Sequence, residues 1–230
     1  IMADKKVLVY VNLNNKDYFV GTLWSHFNRG KETSEFEYSR EWLNNPSAFS
    51  LEPAMYFGTG KQINPRQTPL FGSFGDSAPD NWGRILMKRY ELQKAKEENR
   101  SPRTLNEIDY LLYVNDYARQ GALRFKTEDS GDFQYKGDIK SIPPLVNLAK
   151  LLNAAEKVID SEEKNSDLNL LLAPGSSLGG ARPKASVIDK EGNLCIAKFP
   201  KKDDYTNNVL WEALALTLAK KCGLNVQQWS

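Results

Sequence analysis

The chain has 230 residues, of which 40% are hydrophobic and 26% are charged. These proportions are ordinary for a globular protein and exclude collagen-like, low-complexity and intrinsically disordered classes. The formal net charge of +2 provides no bulk attraction to nucleic acid. No apolar run approaches the ~18 residues of a membrane-spanning helix. With one histidine and two cysteines, we expect reduced thiols, no metal site and a cytoplasmic protein.

The N-terminal part of the chain is predicted to be rich in β structure. Alternating apolar residues predict strands at 7–13 and 18–24, joined by the turn-forming residues 14–17 into a hairpin. A third strand is expected near 35–38. Prolines then interrupt regular structure as far as Leu70.

Helices are predicted in the middle of the chain. A cap residue and a proline start a helix at 77–98. The inner face of this helix is predicted to carry Trp82, Ile85, Leu86, Arg89 and Tyr90. A capping box at Thr104–Glu107 starts a helix over 105–114, and an apolar stripe at i, i+3, i+4, i+7 spacing predicts another over 143–159. Polar and glycine residues at 128–141 indicate a domain boundary.

The last third of the chain has the predicted order helix, loop, strand, turn, strand and helix. The corresponding bounds are 167–173, 174–180, 182–188, 190–193, 194–199 and 207–221. Gly223 follows the final helix at a capping position. Together these elements indicate an α+β protein.

A glycine-rich segment with the sequence GSSLGGARPK spans residues 175–184. Glycines allow backbone N–H groups to approach a phosphate and to form an anion-binding nest. The segment is neither a Walker A motif nor GxGxxG. By its residues alone, it is equally compatible with a plain connection whose glycines and hydroxyls satisfy turns.

A lysine and a glutamate follow this segment on successive predicted elements. Lys198 lies in the apolar strand LCIAKF, and Glu212 lies in the next helix. A lysine in an apolar strand is costly unless it is paired. The order of glycine-rich loop, lysine strand and glutamate helix is typical of protein kinases. The alternative is that Lys198 reaches solvent from an edge strand while Glu212 lies on the helix surface.

Four motifs resemble those of the HipA family. Its members are bacterial serine/threonine protein kinases that act as the toxins of toxin–antitoxin pairs. The motifs are FGSFGDSAPDNWGR at 71–84, DYARQGALRF at 116–125, SLGGARPKA at 177–185 and AKFP at 197–200. The resemblance extends from about Val7 to Val226, with the motifs in family order.

The resemblance implies a kinase-like fold with an added N-terminal subdomain. Residues 1–127 would form this β-rich subdomain with its helices. Residues 128–230 would begin the kinase-like domain with its N-lobe elements, without the C-lobe. In the family, the catalytic aspartate, its asparagine partner and the magnesium-binding aspartate follow later. We therefore expect no catalytic residue and no metal ligand within this chain, which would be inactive by itself.

The function implied by the resemblance is ATP- and Mg²⁺-dependent phosphorylation of a protein serine. A well-known family target is glutamyl-tRNA synthetase, and the effect is growth arrest and persistence. The expected partners are a protein substrate and a helix-turn-helix antitoxin. DNA would be engaged only indirectly, through the antitoxin, and no membrane is involved.

The resemblance also assigns site residues. Ser177, or its neighbour Ser176, matches the loop serine that is autophosphorylated, which ejects the loop and switches the kinase off. Lys198 matches the lysine that contacts ATP phosphates. The implied ATP-binding set is Ser177, Leu178, Gly179, Gly180, Lys184, Lys198 and Glu212.

Two further interpretations concern the whole chain and the helix at 77–98. The chain could instead be an inactive, truncated HipA-like binding module that engages an antitoxin–DNA complex. Arg84 is expected to bridge Asp76 or Asp80. The basic residues at 88–103 alternate with glutamates, which favours a solvated helix face over a DNA contact.

Overall fold

A computed structural model describes most of the chain in a mixed α+β arrangement. The residues described are 4–65, 68–129, 131–134, 142–143, 147–175, 180–201 and 203–229. The strands are β1 (Lys5–Leu13), β2 (Lys16–Asn28), β3 (Lys31–Tyr38), β4 (Gln62–Ile63), β5 (Leu123–Lys126), β6 (Lys184–Ile188) and β7 (Leu194–Lys198). The helices are α1 (Arg40–Leu43), α2 (Gly72–Gly75), α3 (Asn81–Glu97), α4 (Glu107–Tyr113), α5 (Leu148–Asp160), α6 (Asn165–Gly175) and α7 (Asn208–Lys221). The α+β prediction is confirmed.

An antiparallel sheet in the order β4-β3-β2-β1-β5 forms the N-terminal part of the fold. Asn14 and Asn15 join β1 to β2 with φ values of 52° and 63°. Arg29 and Gly30 join β2 to β3 in the same way, with φ values of 50° and 80°. Two consecutive left-handed residues are characteristic of type I′ turns, which match the twist of a hairpin. The predicted hairpin and third strand are confirmed.

Buried apolar side chains form two clusters. The first lies against the five-stranded sheet and contains Phe36, Trp42, Phe71, Phe74 and Phe125 among its largest members. The second joins Trp82 and Leu86 of α3 to Leu151 of α5, Leu171 of α6 and Val187 of β6. Residues from both sides of the predicted boundary therefore share the second cluster. The boundary stays a prediction, since most of 128–141 lies outside the described residues.

Helix α3 begins later than predicted, and it buries Trp82 and Leu86 as predicted but not Ile85. Asp80 is its N-cap, so the proline at 79 precedes the helix. Leu86 and Met87 are buried, whereas Ile85 is 40% exposed, so the inner-face assignment of Ile85 was wrong. Among the described residues, every helix is too short or too polar to cross a bilayer.

The contacts at the start of α4 also differ from prediction. The capping box is formed by Asn106 and Asp109, rather than by residues 104 and 107. Arg84 donates to both carboxylate oxygens of Glu107, at 2.6 and 2.5 Å, so the predicted bridge to an aspartate was wrong. The reason is that α4 starts at Glu107, which places this carboxylate beside α3. The backbone N–H of Glu107 in turn donates to Glu32 of β3.

The packing of α3 predicts a contrast between two adjacent side chains. Leu86→Ala should lower the free energy of unfolding by about 2–5 kcal/mol, because it removes a fully buried side chain and leaves a cavity. Ile85→Ala is the matched control and should change it by less than about 0.5 kcal/mol, as surface substitutions usually do. Urea denaturation followed by circular dichroism measures both. Equal losses would contradict this orientation of α3.

Candidate phosphate-binding site

Two lysines face each other across the β6–β7 hairpin. Lys184 is the cross-strand partner of Lys198 in the antiparallel register. Directly opposed residues share one face of a sheet, and like charges in this position are unfavourable. The neighbouring residues Ala185 and Val187 are buried in the second apolar cluster. The hairpin is thus anchored by its apolar residues while it brings two ammonium groups together.

Lys198 forms an ion pair with Glu212 of α7. The side chains are 47% and 46% exposed, respectively. The two side chains therefore contact each other, and the pair lies at the surface rather than in the interior. The exposure leaves the Lys198 ammonium accessible to a ligand from solvent. Its role in nucleotide binding stays a prediction.

Gly180 is the one residue of the predicted loop set 176–180 that the structure describes. The others, Ser176, Ser177, Leu178 and Gly179, lie outside the described residues. Gly180 has a φ of +86°, and a Cβ at this position would lie 2.9 Å from Lys184 Nζ. A side chain here would therefore be strained and would crowd the ammonium. The glycine allows Lys184 to lie directly against the backbone.

The start of α3 holds this segment through three hydrogen bonds. The Gly180 N–H donates to Asp80 Oδ2 at 2.6 Å, and the Trp82 N–H donates to the Gly180 carbonyl at 3.1 Å. The Trp82 indole Nε1–H donates to the Lys184 carbonyl at 3.0 Å. The sequence analysis missed these contacts. The available signal was the position of Asp80 and Trp82 inside the motif at 71–84.

Burial and neighbouring charges perturb Lys184. Desolvation is the largest cause that lowers the pKa of Lys184, and the ammonium of Lys198 lowers it further. The carboxylates of Asp80 and Glu212 act in the opposite direction. The site thus contains two cations and two carboxylates that influence one another.

A second ion pair fixes the chain just after Gly180 in the sequence. Arg182 donates to both carboxylate oxygens of Asp204, which lies in the segment before α7. Asp204 also accepts the Lys201 N–H at 3.0 Å. These bonds lower the pKa of Asp204 to about 2, and the bond from Arg182 has the largest effect. The sequence analysis missed this pair, since no local periodicity links the two residues.

The residues present fit the phosphate groups of a nucleotide. Two ammonium groups and a glycine backbone lie at one accessible surface, and such donors recognise phosphate oxygens. Asp80 and Glu212, the acids at this surface, already contact Gly180 and Lys198. They are therefore not assigned to Mg²⁺.

The charge arrangement predicts how Lys184 should titrate. Lys198→Ala should raise the pKa of Lys184, because a neighbouring positive charge no longer opposes protonation. Glu212→Gln should lower the pKa of Lys184, because a negative charge that favours protonation is removed. Titration of the Lys184 ¹³Cε chemical shift measures both changes. Lys201→Ala is the control. An unchanged value in Lys198→Ala would contradict the proximity of the two lysines.

Comparison with known proteins gives one family match. A family description named HipA-like C-terminal domain matches residues 176–230, which include β6, β7 and α7. No curated protein matches the chain. The matched segment contains Lys184, Lys198 and Glu212, around which the site is built. The match shows that residues 176–230 are similar to the C-terminal domain of HipA-like proteins.

Proposed function

We propose that this chain supplies the phosphate-binding side of the nucleotide site of a HipA-type serine/threonine protein kinase. The observation that carries the proposal is the ion pair between Lys198 and Glu212. It joins a lysine strand to the following helix, beside a glycine-rich segment. Protein kinases use this combination to hold the phosphates of ATP.

Each residue has a distinct role in the proposal. The ammonium of Lys198 neutralises phosphate oxygens, and Glu212 orients that ammonium. Lys184 provides a second positive charge, and Gly180 lets the backbone approach closely. ATP would supply the phosphoryl group that is transferred to a serine hydroxyl of a protein. Mg²⁺ bridges the phosphates in protein kinases, and neither a metal ligand nor the catalytic aspartate is assigned to this chain.

The biological role proposed is that of a growth-arresting toxin. Its substrate would be a translation factor such as glutamyl-tRNA synthetase. Control would come from autophosphorylation of Ser177 or Ser176 and from a helix-turn-helix antitoxin. The support is the family match together with the motifs at 71–84 and 116–125.

A second candidate function is that of a binding module without kinase activity. The supporting observation is a group of exposed apolar side chains on β7 and α7. These are Leu194, Ile196, Leu210, Trp211, Leu214 and Leu218. Exposed apolar patches often mark interaction surfaces. A reading frame that continues into an Asn-x-Asp-x-His-like segment would favour the kinase, and a stop codon after Ser230 would favour the module.

The nucleotide proposal predicts a specific loss of binding. Lys198→Ala should weaken ATP binding by more than about tenfold, because a charge-assisted bond to phosphate is lost. Isothermal titration calorimetry on the chain measures this change. Lys201→Ala removes a nearby lysine and should bind as the wild type does. If Lys198→Ala binds ATP with unchanged affinity, the assignment of the phosphate site is wrong.

The proposal also predicts the site of autophosphorylation. In a kinase-active protein that contains this chain, incubation with ATP and Mg²⁺ should place phosphate on Ser177 or Ser176, because the proposal puts this loop against the nucleotide. Mass spectrometry of tryptic peptides identifies the position. The same protein with Lys198→Ala should lack the modification. Phosphate found elsewhere, with none on either serine, would contradict the prediction.

A further inference from the structure

Asp80 occupies an unusual position for a helix-capping residue. It is the N-cap of α3, yet its side chain makes no capping hydrogen bond to that helix. Its carboxylate instead accepts the N–H of Gly180 at 2.6 Å. Because carboxylates at N-caps normally bond the first turn of their own helix, this one is directed towards the candidate site.

The bond that Asp80 makes is one that a phosphate oxygen would make. A glycine N–H next to an ammonium group is a typical donor set for anions. Lys184 Nζ lies close to Gly180, as the 2.9 Å approach to its Cβ position shows. The carboxylate of Asp80 therefore sits on the backbone donor and beside the cation that a bound phosphate would use.

The position of the segment does not depend on this carboxylate alone. Trp82 holds the carbonyls of Gly180 and Lys184 through its backbone and indole N–H groups. Arg182 and Asp204 hold the chain on the other side. The carboxylate of Asp80 therefore adds a negative charge to the site, while other contacts also hold the segment in place.

We propose that Asp80 is a built-in competitor of the anionic ligand, so that a polyphosphate must displace its carboxylate from Gly180 before it can bind. The ligand class is a nucleoside triphosphate or an inorganic polyphosphate chain. The inference rests on the proposed function and adds a control element to that site. The opposite role would be that of a structural support, in which the Asp80 carboxylate holds Gly180 in the position that the ligand requires.

Substitution of Asp80 separates the two roles. Asp80→Asn keeps an oxygen acceptor and removes the charge, and Asp80→Ala removes both. Each should bind inorganic tripolyphosphate about tenfold more tightly than the wild type, since a competing charge-assisted bond is lost.

Asp76→Asn is the matched control. It removes an exposed carboxylate from the same motif and should stay within about twofold, since surface charges contribute little. Isothermal titration calorimetry on the chain, with tripolyphosphate and with ATP, measures all four proteins.

Weaker tripolyphosphate binding by both Asp80 variants would show that Asp80 is a structural support and would overturn the inference. Affinities equal to those of Asp76→Asn, or no tripolyphosphate binding by any of the proteins, would overturn it as well. The proposed function fails separately. If Asp80→Asn tightens tripolyphosphate binding but Lys198→Ala leaves ATP binding unchanged, the competitor stands and the nucleotide site is wrong. If Lys198→Ala weakens ATP binding and Asp80→Asn has no effect, only the competitor is wrong.

Discussion

The candidate site depends on the contact between the start of α3 and the chain around Gly180. Trp82 is buried in the second apolar cluster and also donates its indole N–H to the Lys184 carbonyl. A buried indole needs a hydrogen-bond partner, so packing and polar satisfaction require the same geometry. Gly175, at the other end of the glycine-rich segment, approaches Trp82 and Leu86 so closely that a Cβ would lie 2.7 Å from a Leu86 methyl carbon. Both ends of the segment therefore lie against one helix.

The electrostatic arrangement follows from this anchoring. The β6–β7 register forces Lys184 and Lys198 into opposition, and carboxylates from two different helices lie beside them. One carboxylate is paired with Lys198, and the other accepts a hydrogen bond from the backbone N–H of Gly180. Opposed like charges are tolerated because these acids offset them.

Local chemistry accounts for the parts of the fold that were predicted well. Paired asparagines at 14–15 encode a type I′ turn, and Gly223, with a φ of +79°, ends α7 at the expected place. Strands of two and four residues, β4 and β5, were not predicted, because such short segments carry no periodicity. The exposure of Ile85 was missed for a different reason. Which stripe of α3 is buried depends on where α6 packs, and helix periodicity alone does not specify the partner.

The sequence by itself determined the class of the fold and the order of glycine-rich loop, lysine strand and glutamate helix, because turns, strand alternation and helix caps are local properties. It also placed Lys198 and Glu212 where they could pair. The tertiary structure alone decided that Asp80, 100 residues before Gly180, would meet its N–H. It also decided that the lysine–glutamate pair would be half-exposed. Contacts at such separation arise from the packing of whole elements, on which the spacing of individual residues carries no information.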